Sequence, residues 1–187
     1  MENATLVTKY GRDGLIYNVV AGLQARDRSK PFVTNPAIRQ AIGRMGLEMP
    51  YSIGRIAVNI DRSKARTLLH TVSFFPFDEE AAYRHLRGKG VGSLIELAME
   101  GDLMKRFPGA LIRATSFRSL SRTWQLVARD RRPGKAIPIE EAYALTKKHV
   151  LEERRRIRSE RKMTPWKRRL ARGKRFVKKV GRLLRYG

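Results

Sequence analysis

The sequence contains no cysteine, which excludes disulfide bonds, cysteine nucleophiles and thiolate metal sites. Histidine is scarce: the three residues, His70, His85 and His149, form no close ligand pair, so no protein-bound metal is expected. No uninterrupted apolar run approaches the roughly 20 residues that a membrane-spanning helix needs. Residues 1–5 begin neither a cationic nor a long apolar segment, so we expect no signal peptide and a cytoplasmic location.

Acidic residues are also scarce. The 187 residues include 17 Asp or Glu against 41 Lys or Arg, for a formal net charge of +24. The excess is concentrated in residues 154–187, which carry 16 Lys or Arg and one acidic residue. Such a segment repels itself and cannot form a core alone, but it suits contact with a polyanion. The hydrophobic content of 42% predicts a packed fold over most of the chain, with this segment as an appendage.

The basic segment is also amphipathic. Pro165 can begin a helix, and Trp166, Leu170 and Val177 fall close to one helical face. Three partners fit this pattern: the phosphates of RNA or DNA, an anionic membrane surface, or a protein surface. Arginine pairs bidentately with phosphate, so its abundance favours a phosphate-bearing partner, with nucleic acid the first choice. The predicted nucleic-acid-binding residues are Arg154, Arg155, Arg156, Trp166, Lys167, Arg168, Arg169, Arg172, Lys174, Arg175, Lys178 and Lys179.

A glycine-rich run, Arg-Gly-Lys-Gly-Val-Gly-Ser, occupies residues 87–93. It lies between a strand-like apolar segment at residues 68–77 and an amphipathic helical pattern that begins near Val91. Glycines allow a tight turn and close approach of a ligand, and a helix beginning there presents unpaired N–H groups. Arg87 and Lys89 add positive charge, so the pattern predicts a phosphate site. A plain basic turn at the start of a helix is the alternative.

The spacing does not match two common phosphate loops. A Walker loop needs lysine directly after its last glycine, where Ser93 follows Gly92, and the dinucleotide fingerprint needs a third glycine that is absent. Arg87, Gly90 and Gly92 instead match R-x-x-G-x-G. With its flanks, YRHLRGKGVGSLIELAME, this segment resembles the acetyl-CoA pyrophosphate loop of the GNAT acetyltransferase superfamily, and the resemblance covers residues 53–130.

The resemblance implies an α/β fold with a mixed, mostly antiparallel central sheet flanked by helices, here followed by a C-terminal helix and a basic helical or disordered tail. It implies a strand at residues 53–60, a strand at 69–75 that pairs with the pantetheine arm, a strand at 110–115 and a helix at 119–129. The expected division is an acyl-CoA-binding domain at residues 1–132 and the helix and tail at 133–187.

The function implied is transfer of acetyl from acetyl-CoA to an amine, with the basic tail holding the enzyme at a polyanion. The thioester carbonyl would lie near the end of the strand at Phe74. The cofactor-binding residues implied are Phe74, Phe75, Arg87, Gly88, Lys89, Gly90, Val91, Gly92 and Ser93. Members of the superfamily often use a tyrosine as general acid, and no tyrosine stands between Tyr83 and Tyr143.

An acidic cluster, residues 78–80, lies between the predicted cofactor strand and the glycine-rich run. Glu79 and Glu80 are candidates for the general base that takes the proton of the amine, and an exposed acidic turn is the alternative. His85 is likewise a candidate general base, and the alternative is a surface residue near the glycine-rich run. For the whole chain, the alternative function is a non-catalytic nucleic-acid-binding or nucleoprotein assembly protein that uses both basic patches.

The other segments are predicted more coarsely. Asn35 and Pro36 are a typical cap and first residue, so a short helix is expected over 37–45. Apolar residues in 14–23 fit a strand or a helix equally. A long helix is expected from Pro138 to about Ile157.

Overall fold

The protein is described by a computed structural model. The structure describes residues 3–11, 14–21, 30–46, 48, 50–63, 65–74, 86, 89–114 and 136–162. The chain divides into two compact units, Met1–Leu151 and Glu152–Gly187. The first turns of the last helix, as far as Leu151, thus belong to the unit that contains the sheet.

Within the described residues, seven strands form one sheet in the order β3–β1–β2–β4–β5–β6–β7. The strands are β1 (Asn3–Gly11), β2 (Gly14–Ala21), β3 (Phe32–Thr34), β4 (Tyr51–Asp61), β5 (Leu68–Phe74), β6 (Leu111–Ala114) and β7 (Ile137–Pro138). Only β5 and β6 pair in parallel, and the other neighbours are antiparallel. The sheet is therefore mixed and mostly antiparallel, and the α/β class expected from the sequence is confirmed.

One face of this sheet forms the core. Side chains directly opposite each other in paired strands share a face, and burial alternates along β2 as expected for a strand with one covered face. This alternation shows that residues 14–21, the described part of the ambiguous segment 14–23, form a strand. The buried side chains of the covered face include Ala4, Leu6, Leu15, Tyr17, Val19, Ala21, Ile56, Val58, Leu69 and Ile112.

The first helix, α1 (Pro36–Met45), forms where the sequence predicts it. The Asn35 side chain accepts a hydrogen bond from the Ala37 N–H at 2.9 Å, and proline occupies the first turn, where its missing N–H costs nothing. Gly46 ends the helix in the left-handed conformation, with φ of 60°, which glycine adopts without strain. The cap, the proline and the glycine thus define both ends locally.

The second helix, α2 (Val91–Arg106), connects the two parallel strands β5 and β6. A short turn at residues 107–110 joins the end of the helix to the start of β6. The helix therefore runs back along the sheet, and its N-terminus lies toward the carboxyl ends of β5 and β6. The strand, the helix beginning at Val91 and the following strand agree with the sequence prediction.

The third helix, α3 (Ile139–Lys162), begins directly after β7. Its first turns are buried through Ile139, Ala142 and Thr146. The Tyr143 ring lies where Gly101 of α2 leaves room: a Cβ at Gly101 would be 3.3 Å from the ring. The predicted helix from Pro138 is thus confirmed, whereas the helix expected at 119–129 lies outside the described residues.

Candidate functional site

The N-terminus of α2 has the features of an anion-binding site. Gly90 precedes the helix in the left-handed conformation, with φ of 75°, and no side chain of the described residues caps the helix. The first turn contains no acidic residue, so the positive end of the helix dipole is not offset by the helix's own side chains. Leu94 makes the first intrahelical hydrogen bond, to the Gly90 carbonyl at 3.3 Å, and the N–H groups of Val91 and Gly92 precede it.

The surface over this first turn is open at Gly92. A Cβ built on Gly92 would meet no atom within 4 Å, so a ligand can approach the backbone there. Val91 is buried beneath the turn and anchors it to the core. Lys89, the residue before the glycine cap, is exposed and carries a positive charge to the same turn. A rigid helix start with an open backbone and an adjacent cation suits a phosphate.

Asn35 links this turn to α1. Its Nδ2 donates a hydrogen bond to the Lys89 carbonyl at 3.1 Å, while its Oδ1 caps α1. One side chain therefore holds the N-termini of two helices side by side at one edge of the sheet. The sequence identified Asn35 as a cap, but a partner 54 residues away leaves no local signal.

The parallel strands leave an open length of backbone near this edge. The pairing of β5 with β6 ends at Thr71 and Ala114, whereas β5 continues to Phe74, which pairs with Arg55 of β4. Among the described residues, Val72 to Phe74 thus have a strand partner on one side only. Ligands of α/β proteins commonly bind beyond the carboxyl ends of such strands.

The predicted site residues divide into two groups. Lys89, Gly90, Val91, Gly92 and Ser93 lie together at the start of α2, and the backbone of Phe74 ends β5. The remaining predicted cofactor-binding and catalytic residues lie outside the described residues: Phe75, Glu79, Glu80, His85, Arg87 and Gly88.

A second polar cluster joins the other end of α2 to the sheet. The buried Tyr17 hydroxyl donates to Asp102 at 2.6 Å, and Arg106 pairs with the same carboxylate at 2.7 Å and reaches the Tyr10 hydroxyl. Burial, followed by the hydrogen bond to Asp102, raises the pKa of Tyr17 far above its ordinary value. Tyr17 therefore stays protonated. Asp102 lies twelve residues along α2 from Gly90, about 18 Å along the axis, so the cluster serves packing rather than the turn.

Two glutamates of α2 are buried, Glu96 and Glu100, and the sequence did not indicate this. The Glu100 carboxyl is fully buried and faces Thr146 of α3. Among the described residues, neither carboxyl oxygen makes a hydrogen bond of good geometry, so the Thr146 hydroxyl is a weak polar contact. Burial raises the pKa of Glu100 to about 8, and the Thr146 hydroxyl opposes this shift. Glu100 is therefore mostly protonated at neutral pH.

The predicted nucleic-acid-binding arginines that the structure describes lie on α3. Arg154 and Arg155 are exposed, whereas Arg156 forms salt bridges with Glu153 at 3.1 Å and Glu160 at 3.8 Å. The other predicted members, residues 166–179, lie outside the described residues. Of these three neighbouring arginines, Arg156 thus has its charge partly neutralised by two glutamates.

Comparison of the chain with protein-family models, curated proteins and solved structures finds no match in any of the three. No helix in the described residues is long and apolar enough to cross a membrane. Across the same residues, no three histidine, aspartate or glutamate side chains are grouped as metal ligands.

Proposed function

We propose that this protein is an acetyltransferase that moves acetyl from acetyl-CoA to an amine. The observation that carries the proposal is the β5–α2–β6 unit. Its helix begins at an uncapped left-handed glycine, beside a strand whose last residues have one described partner. This combination fits a ligand with a pyrophosphate at one end and an extended amide-containing arm at the other. It is also the arrangement implied by the resemblance to the GNAT superfamily.

The residues present suit such a cofactor. The N–H groups at Val91 and Gly92 would hold the pyrophosphate, and Lys89, with Arg87 and Gly88, would complete the turn around it. The backbone of β5 up to Phe74 and Phe75 would pair with the pantetheine arm as a further strand would. Ser93 is buried one residue further along the helix and belongs to the same turn.

The cofactor would supply the thioester carbonyl that the amine attacks, near the end of β5. The amine must lose a proton to attack, and Glu79, Glu80 and His85 are the candidates to accept it. A backbone amide at the end of β5 would stabilise the oxyanion. Tyr17 cannot serve as the acid for the departing thiolate, because it is buried against Asp102 at the far end of α2.

Gly92→Asp tests the cofactor site without disturbing the fold. The space over Gly92 is open, and an acid in the first turn favours the helix dipole, so the variant should fold at least as stably. Its carboxylate would repel the pyrophosphate, and we expect acetyl-CoA affinity to fall about 100-fold or more. The measurement is calorimetric titration of the full chain in about 0.3 M salt, which screens attraction to the tail.

The matched control is Gly43→Asp on α1. Gly43 is an exposed helical glycine that, like the half-buried Gly92, has no atom within 4 Å of its Cβ position, and the change in charge is the same. We expect this variant to bind acetyl-CoA as the wild type does. No saturable binding by the folded wild-type protein, or equal loss in both variants, would contradict the proposal.

The second part of the proposal is that the basic C-terminal unit holds the enzyme at RNA or DNA. We propose the cytoplasm as the location, since acetyl-CoA and RNA occur there together. The specific observation is that, in the described part of the chain, Arg154 and Arg155 are exposed on α3 and make no salt bridge like those of Arg156. A non-catalytic nucleic-acid-binding or assembly protein remains the alternative function, and it would bind nucleic acid without binding acetyl-CoA.

Arg155→Gln and Arg156→Gln form a matched pair for this second part. The two variants lose the same charge at adjacent positions, but of the two arginines only Arg156 has acidic partners among the residues that the structure describes. Each phosphate contact adds about 0.9 to the slope of log K against log salt for duplex DNA. We expect Arg155→Gln to lower the slope by about 1 and Arg156→Gln to lower it less, by fluorescence anisotropy. Equal slopes in both variants and the wild type would contradict a phosphate contact at Arg155.

A further inference from the structure

A groove on the exposed face of α1 carries two arginines that the proposed activity does not use. It is an open surface depression of about 490 Å³, lined by Pro36, Arg39, Gln40, Gly43 and Arg44. We infer that this groove binds the phosphate backbone of a nucleic acid. The inference extends the nucleic-acid part of the proposed function from the basic C-terminal unit to the unit that contains the sheet.

The helical spacing places three of these residues in a central stripe and the two arginines on either side of it. Pro36, Gln40 and Gly43 repeat at intervals of four and three and form a central stripe. Arg39 and Arg44 are five residues apart, about 7.5 Å along the axis and about 140° around it, so they flank the stripe on opposite sides. A strand of phosphates along the stripe would have a guanidinium on each side.

The charge of α1 is entirely positive, because Pro36–Met45 contains no acidic residue. In the described part of the chain, neither Arg39 nor Arg44 makes a hydrogen bond or a salt bridge. Arg44, in the last turn, also stabilises the helix dipole, but Arg39 lies in the first half of the helix, where a cation gains nothing from the dipole. Packing and capping therefore do not account for Arg39.

The lining favours phosphate over an acidic peptide. Peptide sites usually contain apolar anchors, whereas the exposed large hydrophobic residues in the described residues are Tyr10, Phe32 and Leu151, none of them in the groove. Arginine, glutamine and accessible backbone are the groups that contact nucleic-acid phosphates. Gly43 leaves open space in the central stripe, so a backbone can approach closely.

Another cation belongs to the turn that is bonded to the start of α1. Pro36 is the residue next to Asn35, whose side chain bonds to the Lys89 carbonyl. Lys89 is exposed at the same edge of the sheet, so a third positive charge follows the two arginines. The net charge of +24 makes the whole chain complementary to a polyanion.

The test compares Arg39→Gln/Arg44→Gln with Arg62→Gln/Lys105→Gln in the full chain. Both double variants remove two exposed positive charges, and only the first changes the groove. The probe is a fluorescein-labelled 20-base-pair DNA duplex, titrated by anisotropy over a series of salt concentrations. We expect the groove variant to lower the salt slope by about 2 and the affinity about tenfold, and the control to change both far less.

Three results would overturn the inference. The first is an equal fall in slope for both double variants, which would mean that only total charge matters. The second is an unchanged slope in the groove variant. The third is displacement of the duplex by poly-glutamate of equal charge, lost in the groove variant, which would make the groove a site for acidic peptides.

Failure of the groove inference can be distinguished from failure of the proposed function. Failure of acetyl-CoA binding, or of the Arg155→Gln test, leaves the groove comparison unaffected, because the two measurements use different residues. Gly43→Asp and Gly92→Asp provide a second matched pair of equal charge: the first should weaken duplex binding more than the second. The reverse order would also overturn the inference.

Discussion

Glutamine in place of Glu100 is expected to leave stability unchanged at about pH 3 and to raise it by about 5 kcal/mol at about pH 9. Burial raises the pKa of Glu100 from its ordinary value of 4.5 to about 8. Each pKa unit corresponds to about 1.4 kcal/mol, so this shift corresponds to about 5 kcal/mol of differential stability. The neutral amide resembles the protonated carboxyl, and so the variant should keep the low-pH stability at every pH.

The sign follows from the two protonation equilibria. Below pH 4.5 the carboxyl is protonated in the folded and the unfolded chain, so it imposes no penalty. Between pH 4.5 and about 8 the unfolded chain ionises first, and the folded state loses stability progressively until its own carboxyl ionises. Chemical denaturation of the wild type at several pH values should therefore show stability falling as the pH rises through this range.

Glu140→Gln is the control with the opposite sign. Its carboxylate is exposed and accepts a hydrogen bond from the Gly109 N–H at 2.9 Å, which lowers the pKa of Glu140. The Glu140 carboxylate therefore stabilises the fold at pH values above its ordinary pKa, and this stabilisation is lost as the pH falls. A flat pH profile in the wild type, or the same profile in the wild type and Glu100→Gln, would refute the buried-carboxyl assignment.

Alanine in place of Gly14 is expected to destabilise the fold by about 3 kcal/mol or more. Gly14 begins β2 opposite Asn59 of β4, in the interior of the sheet. A Cβ there would overlap the Val58 carbonyl oxygen and lie 3.2 Å from the carbonyl carbon and 3.3 Å from the Asn59 Cα. All three atoms are backbone, so no change of rotamer relieves the overlap, and the two strands must separate.

Gly11→Ala is the matched control. Gly11 pairs with Gly14 across the β1–β2 ladder, but the nearest atom to its Cβ position is the Gly14 carbonyl oxygen at 3.8 Å, an ordinary contact. We expect urea denaturation to show a much smaller change for this variant. Equal destabilisation by the two substitutions would show that the loss of glycine flexibility, rather than the close approach of β4, sets the effect.

Elements with strong local signals were predictable. The Asn35 cap, Pro36 and Gly46 define α1 within a few residues of chain, because a helix end needs only neighbouring groups to satisfy its orphan N–H and C=O groups. The start of α2 at Val91 follows from Gly90 in the same way. The strands at β5 and β6 are recognisable because a β-branched and apolar run of strand length is bounded by turn residues.

The segment 14–23 was ambiguous for a physical reason. An apolar run of this length satisfies either a helix or a strand, and pairing with β1 on one side and β4 on the other decides for the strand. Position 14 also shows a tertiary effect. Glycine is needed there because β4 approaches closely, and not because of the backbone angles of the residue itself.

The sequence alone determined the charge distribution, the ends of α1 and the glycine-bearing start of α2, because each depends on residues adjacent in the chain, whereas the α/β class was implied by the resemblance to the GNAT superfamily. Only the tertiary structure decided the strand order, the burial of Glu100 against Thr146, and the bond from Asn35 to Lys89. The partners in these features are many residues apart. Which of them meet depends on the pairing and packing of whole elements, whose free energy is spread over the entire core.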